Sequence, residues 1–237
     1  MTALSAAAIA ARRQEVLQRI AHAAARAGRD PAGVSLLAVT KTHPVETVRQ
    51  AARAGLTHFG ENRVAEGAAK IEALRSEWPT LEWRLIGPLQ TNKAKLALQY
   101  FSVVESLDRQ RLAGRLETLL AGEDRRIRVL LEFNLGAEET KSGALPADAE
   151  TFASAVLALP HLDLRGVMSV PPLTADPEGA RPFFRQLAQI RDRLADRLGR
   201  PLPEISMGMS HDFEIAVEEG ATEVRLGTAL FGPREAA

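Results

Sequence analysis

Val34-Ser35-Leu36-Leu37-Ala38-Val39-Thr40-Lys41 is a short apolar run that ends on a lysine. Its length and composition read as a buried strand with the lysine at its mouth. Further β-rich runs lie near 57–61, 82–87, 101–106, 127–134, 164–170, 204–208 and 223–227. Helical patterns fill the intervals near 45–54, 63–75, 90–98, 108–121, 147–158, 178–198 and 211–219. Eight strands alternating with helices predict an α/β fold of the (β/α)8 TIM barrel type. The competing architecture is a doubly wound open sheet. It usually has fewer strands and an early Gly-rich dinucleotide fingerprint, which this sequence lacks. Ahead of the first strand, residues 4–27 read as an amphipathic helix carrying Ile9, Val16, Leu17 and Ile20, stopped by Gly28 and Pro31. Without a linker or low-complexity tract, residues 1–237 are expected to form one barrel domain, with 1–30 as an extra N-terminal helix packed on it.

The bulk numbers exclude more than they assign. Of 237 residues, 46% are hydrophobic, enough for a sizeable core. Thirty basic residues balance thirty acidic ones, which gives no electrostatic reason to expect nucleic acid or an anionic membrane as partner. There is no cysteine, hence no disulfide framework and no thiolate metal site, a composition that suits the cytoplasm. Arg12 and Arg13 follow the Ala-rich N-terminal stretch instead of preceding it, unlike a signal peptide. No run is long and apolar enough to span a bilayer.

In a barrel of this kind the chemistry sits where the strands end. Lys41 shares strand parity with Leu37 and Val39. If those two face the barrel interior, so does Lys41, and desolvation there favours the neutral amine that can attack an aldehyde. The plain alternative is a lysine that snorkels to solvent. The chain closes with Val224-Arg225-Leu226-Gly227-Thr228, where Gly227 and Thr228 offer close backbone approach and a hydroxyl after the last strand. Ser206-Met207-Gly208-Met209-Ser210 forms a second Gly-containing turn. Ser210 there either N-caps a helix starting near His211 or meets an anion. Loops after strands 7 and 8 are the usual phosphate cradle of the fold. Arg225 alternates with Val224 and Leu226, which places it inside the barrel. It would donate there to an acceptor such as a pyridine nitrogen, or pair with an inward carboxylate. An aldehyde and a phosphate on one small molecule describe pyridoxal 5'-phosphate (PLP). Asn62 either bonds the cofactor or caps the next helix, and Met168 either packs on its ring or belongs to the core. His43 and His211 lie near the mouth, without metal-ligand spacing. Lys93, Lys95 and Lys141 read most simply as solvated charges, with a second phosphate contact as the alternative for Lys141.

Six stretches in order carry a family resemblance: Ala38-Val39-Thr40-Lys41-Thr42, Phe59-Gly60-Glu61-Asn62, Ile86-Gly87-Pro88-Leu89-Gln90-Thr91-Asn92-Lys93, Leu164-Arg165-Gly166-Val167-Met168, Ser206-Met207-Gly208-Met209-Ser210 and Val224-Arg225-Leu226-Gly227-Thr228. In them the chain resembles the pyridoxal phosphate homeostasis proteins, the YggS/PROSC family. The resemblance implies a barrel similar to the N-terminal domain of alanine racemase, with PLP as a Schiff base on Lys41. It implies phosphate contacts at Ser210, Gly227 and Thr228, backbone help from Met209, Arg225 at the pyridine nitrogen, and Asn62 and Met168 lining the pocket. The chain departs from the family at Arg63 and Ala65, where tyrosine and glutamine are expected, and at Arg84-Leu85, where His-Phe is expected. These changes are expected to touch loop contacts and partner surfaces more than PLP binding.

A two-base racemase needs a second base opposite its lysine, typically a tyrosine from another domain. The lone tyrosine, Tyr100, precedes strand 4 and is expected at the far end of the barrel. Arg225 at the ring nitrogen also weakens the ring as an electron sink. The expectation is therefore a non-catalytic, monomeric PLP carrier that buffers or delivers the cofactor, with apo-PLP enzymes as candidate recipients. One rival is a small PLP-dependent racemase or lyase using His43 or His211. Another is a barrel isomerase or aldolase acting on a phosphorylated metabolite through Lys41.

Overall fold

The computed structural model describes residues 4–138 and 141–233. Strand β1, Ser35–Val39, pairs in parallel with β2, His58–Glu61, on one side and with β8, Glu223–Leu226, on the other, so the sheet has no edge. Between them run β3 (Glu82–Leu85), β4 (Val103–Leu107), β5 (Ile127–Phe133), β6 (Leu162–Ser169) and β7 (Glu204–Ser206), in sequence order around a closed barrel. Helix α1, Ala6–Arg26, precedes the barrel, and α2 (Val45–Arg53), α3 (Val64–Leu74), α4 (Ala94–Tyr100), α5 (Gln110–Leu120), α6 (Ala149–Leu157), α7 (Arg181–Leu198) and α8 (Phe213–Glu218) each follow a strand. A short helix α9, Thr228–Phe231, follows β8. The barrel expectation is met.

Strand alternation explains the two faces. Ala38, Phe59, Leu85, Val104, Val129, Leu131, Val167, Ile205, Val224 and Leu226 point outward into one apolar layer with helix residues such as Val48, Ile71, Leu112, Phe152 and Leu187. At ~1.5–3 kcal/mol for each large side chain removed from water, this layer is the main stabilising contribution. Helix α1 joins it through Ile9, Val16 and Ile20, and Ser5 caps its start by accepting from the Ala8 amide at 3.2 Å. Arg29, just beyond α1, donates to Val217 O and to Ala221 O, at 2.8 Å for the latter, and ties the helix to the α8–β8 turn.

The inward positions hold charge where such barrels usually carry branched aliphatics. Arg84 corrects the expectation of a loop or partner contact. It is 6% exposed and lies inside the barrel, in register with Gly60 and Val103. Its guanidinium stands 2.7 Å from Glu204, 3.2 Å from Glu223, 3.5 Å from Glu105 and 2.8 Å from Glu82. Burial opposes its charge, but these carboxylates outweigh burial and keep it firmly protonated. Leu85, by contrast, is ordinary core, and Arg63 and Ala65 are exposed on α3 and its lead-in. Ser206 Oγ lies 2.6 Å from Glu105 and 3.0 Å from Glu223. Burial and the neighbouring Glu105 push the Glu223 carboxyl well up, against the opposing charge of Arg84.

Candidate functional site

A cavity of about 680 Å3 opens at the C-terminal ends of the strands. Seven of the eight expected site residues meet there: Lys41, Asn62, Met209, Ser210, Arg225, Gly227 and Thr228. Met168 does not line it. It is fully buried, in register with Glu132 and Ser206.

Lys41 leaves β1 on the parity of Leu37, which pairs in register with Arg225, and of Val39, which lines the cavity. The lysine therefore faces inward. Arg225 is 4% exposed and donates to Ser206 Oγ at 2.8 Å and to Ser169 O at 2.7 Å. Its neighbours Val224 and Leu226 pack outward as expected. Both of these acceptors are neutral oxygens, and the Glu132 carboxyl lies near enough to interact with the guanidinium charge.

Two glycines bring the rim together. A Cβ at Gly87 would stand 2.4 Å from Asn62 O, so only glycine lets the end of β3 lie against the Asn62 backbone. Gly208 has φ 89°, and a Cβ there would meet the Ala216 Cβ at 2.5 Å. Asn62 caps nothing, since α3 starts at Val64 with Arg63 at its N-cap, and this leaves its side chain on the cavity wall.

The cradle after β7 differs from the sequence expectation. Ser210 does not cap α8, which begins only at Phe213 with Asp212 at its N-cap. The Met209 amide donates to Asp212 Oδ1 at 2.7 Å, and Met209 O accepts from the Asp212 and Phe213 amides. This closed turn delays the helix and uses the amide expected to assist a phosphate. Ser210 Oγ instead accepts from the Ala229 amide at 3.1 Å, joining the loop after β7 to the first turn of α9. Gly227 and Thr228 stand beside it on the same rim.

Sequence reasoning missed Glu132. It is 8% exposed, lines the cavity, and its Oε2 lacks a hydrogen-bond partner. Burial raises its pKa to about 7, helped by repulsion from Asp108 and Glu105 and opposed by Arg225. The signal was available, since Glu132 alternates with the outward Leu131 and Phe133 as Arg225 does with Val224 and Leu226. His43, His211 and Lys141 also line the cavity. His43 stacks at a tilt on Phe231, with centroids 5.1 Å apart. Lys141 lies 2.7 Å from Glu138 Oε1 and donates to Pro171 O at 3.2 Å. Lys93 and Lys95 are exposed. Tyr100 sits on α4 with its hydroxyl 3.4 Å from Glu72, away from the cavity lining. Among the described residues no group of three or more His, Cys, Asp or Glu side chains is arranged to hold a metal ion, and no helix is long and apolar enough to cross a membrane.

The family model described as the alanine racemase N-terminal domain matches residues 13–235, in agreement with the barrel and its mouth. A relative from Aquifex aeolicus, a "Pyridoxal phosphate homeostasis protein", is 44% identical over 224 residues, which cover 94% of this chain and 97% of that one. A protein of the same name from Pseudomonas aeruginosa is 45% identical over 221 residues, covering 93% and 94%. The PLP-bound structure of PipY from Synechococcus elongatus superposes with a TM-score of 0.80 at 37% identity, over 90% of this chain and 100% of that one. Alanine racemase from Corynebacterium glutamicum shares the fold alone, with a TM-score of 0.68 at 21% identity over 99% of this chain and 63% of that one. The chain belongs to the pyridoxal phosphate homeostasis protein family.

Proposed function

We propose that this protein binds PLP through a Schiff base on Lys41 and serves to buffer or deliver the cofactor, without a turnover of its own. The observation that carries the reading is the meeting of Lys41, Arg225 and the Ser210–Gly227–Thr228 rim in one cavity. PLP, when bound, supplies an aldehyde to a lysine amine. The residues present fit such a ligand. Lys41 provides the amine, the Thr228 hydroxyl and the Gly227 backbone suit the phosphate, and Arg225 provides a donor for the ring nitrogen. An arginine there keeps that nitrogen unprotonated and the ring a poor electron sink, which supports a carrier over a catalyst. Apo-PLP enzymes are the candidate recipients, and a monomeric, cytoplasmic carrier is the form expected from the sequence.

A second reading has its own support, because His43, His211 and Glu132 line the same cavity and could move a proton. An absorbance titration of the pure protein with PLP, followed by racemisation and transamination assays, separates these readings. A saturable imine band without amino-acid turnover is the expected result. Robust turnover would establish the enzyme. Absence of any band would favour the barrel acting on a phosphorylated metabolite.

The phosphate assignment has a smaller test. Thr228→Val keeps the side-chain shape and removes the hydroxyl. It is expected to weaken PLP binding by about tenfold, since a hydrogen bond to a charged group contributes ~1.5 kcal/mol or more. Inorganic phosphate should compete less well against the variant, and unchanged competition would remove Thr228 from the cradle.

A further inference from the structure

Thr40 and Thr42 flank Lys41, and both are held from the side of the sheet away from the cavity. Lys70, on α3, donates from Nζ to Thr40 O at 2.7 Å, to Glu61 Oε1 at 2.7 Å and to Glu66 Oε1 at 2.8 Å. The Thr40 hydroxyl donates to Glu61 Oε1 at 2.6 Å, and the Thr42 amide donates to Glu66 Oε1 at 2.6 Å. The Lys70 side chain is 7% exposed and that of Glu61 is fully buried. Glu61 pairs in register with Leu85, an outward position, so the cluster lies behind the strand wall and not in the cavity.

Such a cluster is costly to build. Three ionisable groups lie together, Lys70 and Glu61 buried and Glu66 partly so, and desolvation opposes the charges in it. Burial pushes the Glu61 carboxyl up, and Lys70 only partly offsets this. Burial also opposes the Glu66 charge, but the hydrogen bonds from Lys70 and the Thr42 amide outweigh it and hold that carboxyl low. Thr42 itself adopts φ 67°, a left-handed conformation that a β-branched residue rarely takes. The Glu66 carboxylate bonds the amide of this strained residue. The His43 amide completes the turn by donating to Thr40 O at 3.0 Å. Every one of these bonds ends on the two residues beside Lys41 or on the groups that grip them.

We propose that Lys70, with Glu61 and Glu66, is a positioning residue: a charged clamp that fixes the Thr40–Thr42 turn and so presents the Lys41 amine to the aldehyde of the ligand. The inference rests on the attachment of PLP at Lys41. In that reaction the amine lone pair adds to the aldehyde carbon, and the C=N bond forms as the carbonyl oxygen departs as water with both amine protons. A misplaced amine slows this step far more than it weakens non-covalent binding, since about 1 Å of misplacement costs on the order of 100-fold in rate.

The test separates the two quantities. Pyridoxine 5'-phosphate, which has an alcohol in place of the aldehyde, reports non-covalent affinity. Stopped-flow absorbance with PLP reports the rate of imine formation. Lys70→Met is expected to slow imine formation by ~100-fold, and Glu66→Gln by ~10-fold, with affinity for pyridoxine 5'-phosphate within about twofold of wild type in both. Glu66 is partly exposed, so its variant keeps the test available if Lys70→Met does not fold. Wild-type imine rates in the variants that fold would overturn the proposal. An equal loss of pyridoxine 5'-phosphate affinity would reduce the cluster to a structural one and overturn it too. A wild-type protein that binds pyridoxine 5'-phosphate but forms no imine with PLP would remove the attachment itself, and the clamp with it.

Discussion

Lys41→Ala is expected to abolish the imine band of the PLP-loaded protein and to leave a folded barrel that still takes up pyridoxine 5'-phosphate. The effect is all-or-none because a covalent bond is lost, not weakened. Two lysines line the cavity, Lys41 and Lys141, so the second must be weighed. Lys141 stands 2.7 Å from the Glu138 carboxylate and donates to Pro171 O at 3.2 Å, contacts that tie its Nζ to the loops of the rim. Lys41 sits in the turn gripped by Glu61, Glu66 and Lys70 and faces the same space as Arg225. Lys141→Ala should therefore keep the band. A band that survives Lys41→Ala and disappears only when Lys141 is also replaced would reassign the attachment.

The fold and most of the cavity wall were legible because strand parity is a local property. Leu37 and Val39 fix the direction of Lys41, and Val224 and Leu226 fix that of Arg225, each within a few residues of chain. Three things depended on partners distant in sequence. Met168 was expected to line the pocket, but it is fully buried, in register with Glu132 and Ser206, and its depth among neighbouring strands is not a local property. Shifts between Val104 and Leu107 and between Val129 and Leu130 alter that depth around the barrel, and nothing in the local pattern announces them. Ser210 has the chemistry of a helix cap, yet Asp212 competes better for the turn, and the Ser210 hydroxyl instead meets the Ala229 amide from the next loop. Arg84 looked like a peripheral change until Glu105, Glu204 and Glu223, from three other strands, appeared around it. The buried ion cluster has to be retained or lost as a group, since any one member alone would be an uncompensated charge.

Glu132→Gln is expected to remove a pH dependence of stability amounting to about 3 kcal/mol. In the native protein burial holds this carboxyl to about 7, against an ordinary value of 4.5. Below the lower value both folded and unfolded chains hold the proton, and the group contributes no difference. Between the two values the folded chain retains a proton that the unfolded chain releases, so stability falls as pH rises. The fall, ~1.4 kcal/mol for each pH unit, is complete once pH passes the native value. Glutamine has nearly the same shape and no charge to desolvate, so the variant should lose this slope and be the more stable protein in alkaline buffer. Chemical denaturation of both proteins at about pH 5 and about pH 8.5, without ligand, reads the difference directly. The same ionisation reaches the cavity, because Glu132 lines it beside Arg225. Once ionised, it offsets part of the Arg225 charge and repels an anionic ligand. Affinity for PLP should therefore decline more steeply with rising pH in the wild type than in the variant. Parallel stability curves for the two proteins would show instead that Glu132 is already ionised in the fold, with Arg225 winning over burial.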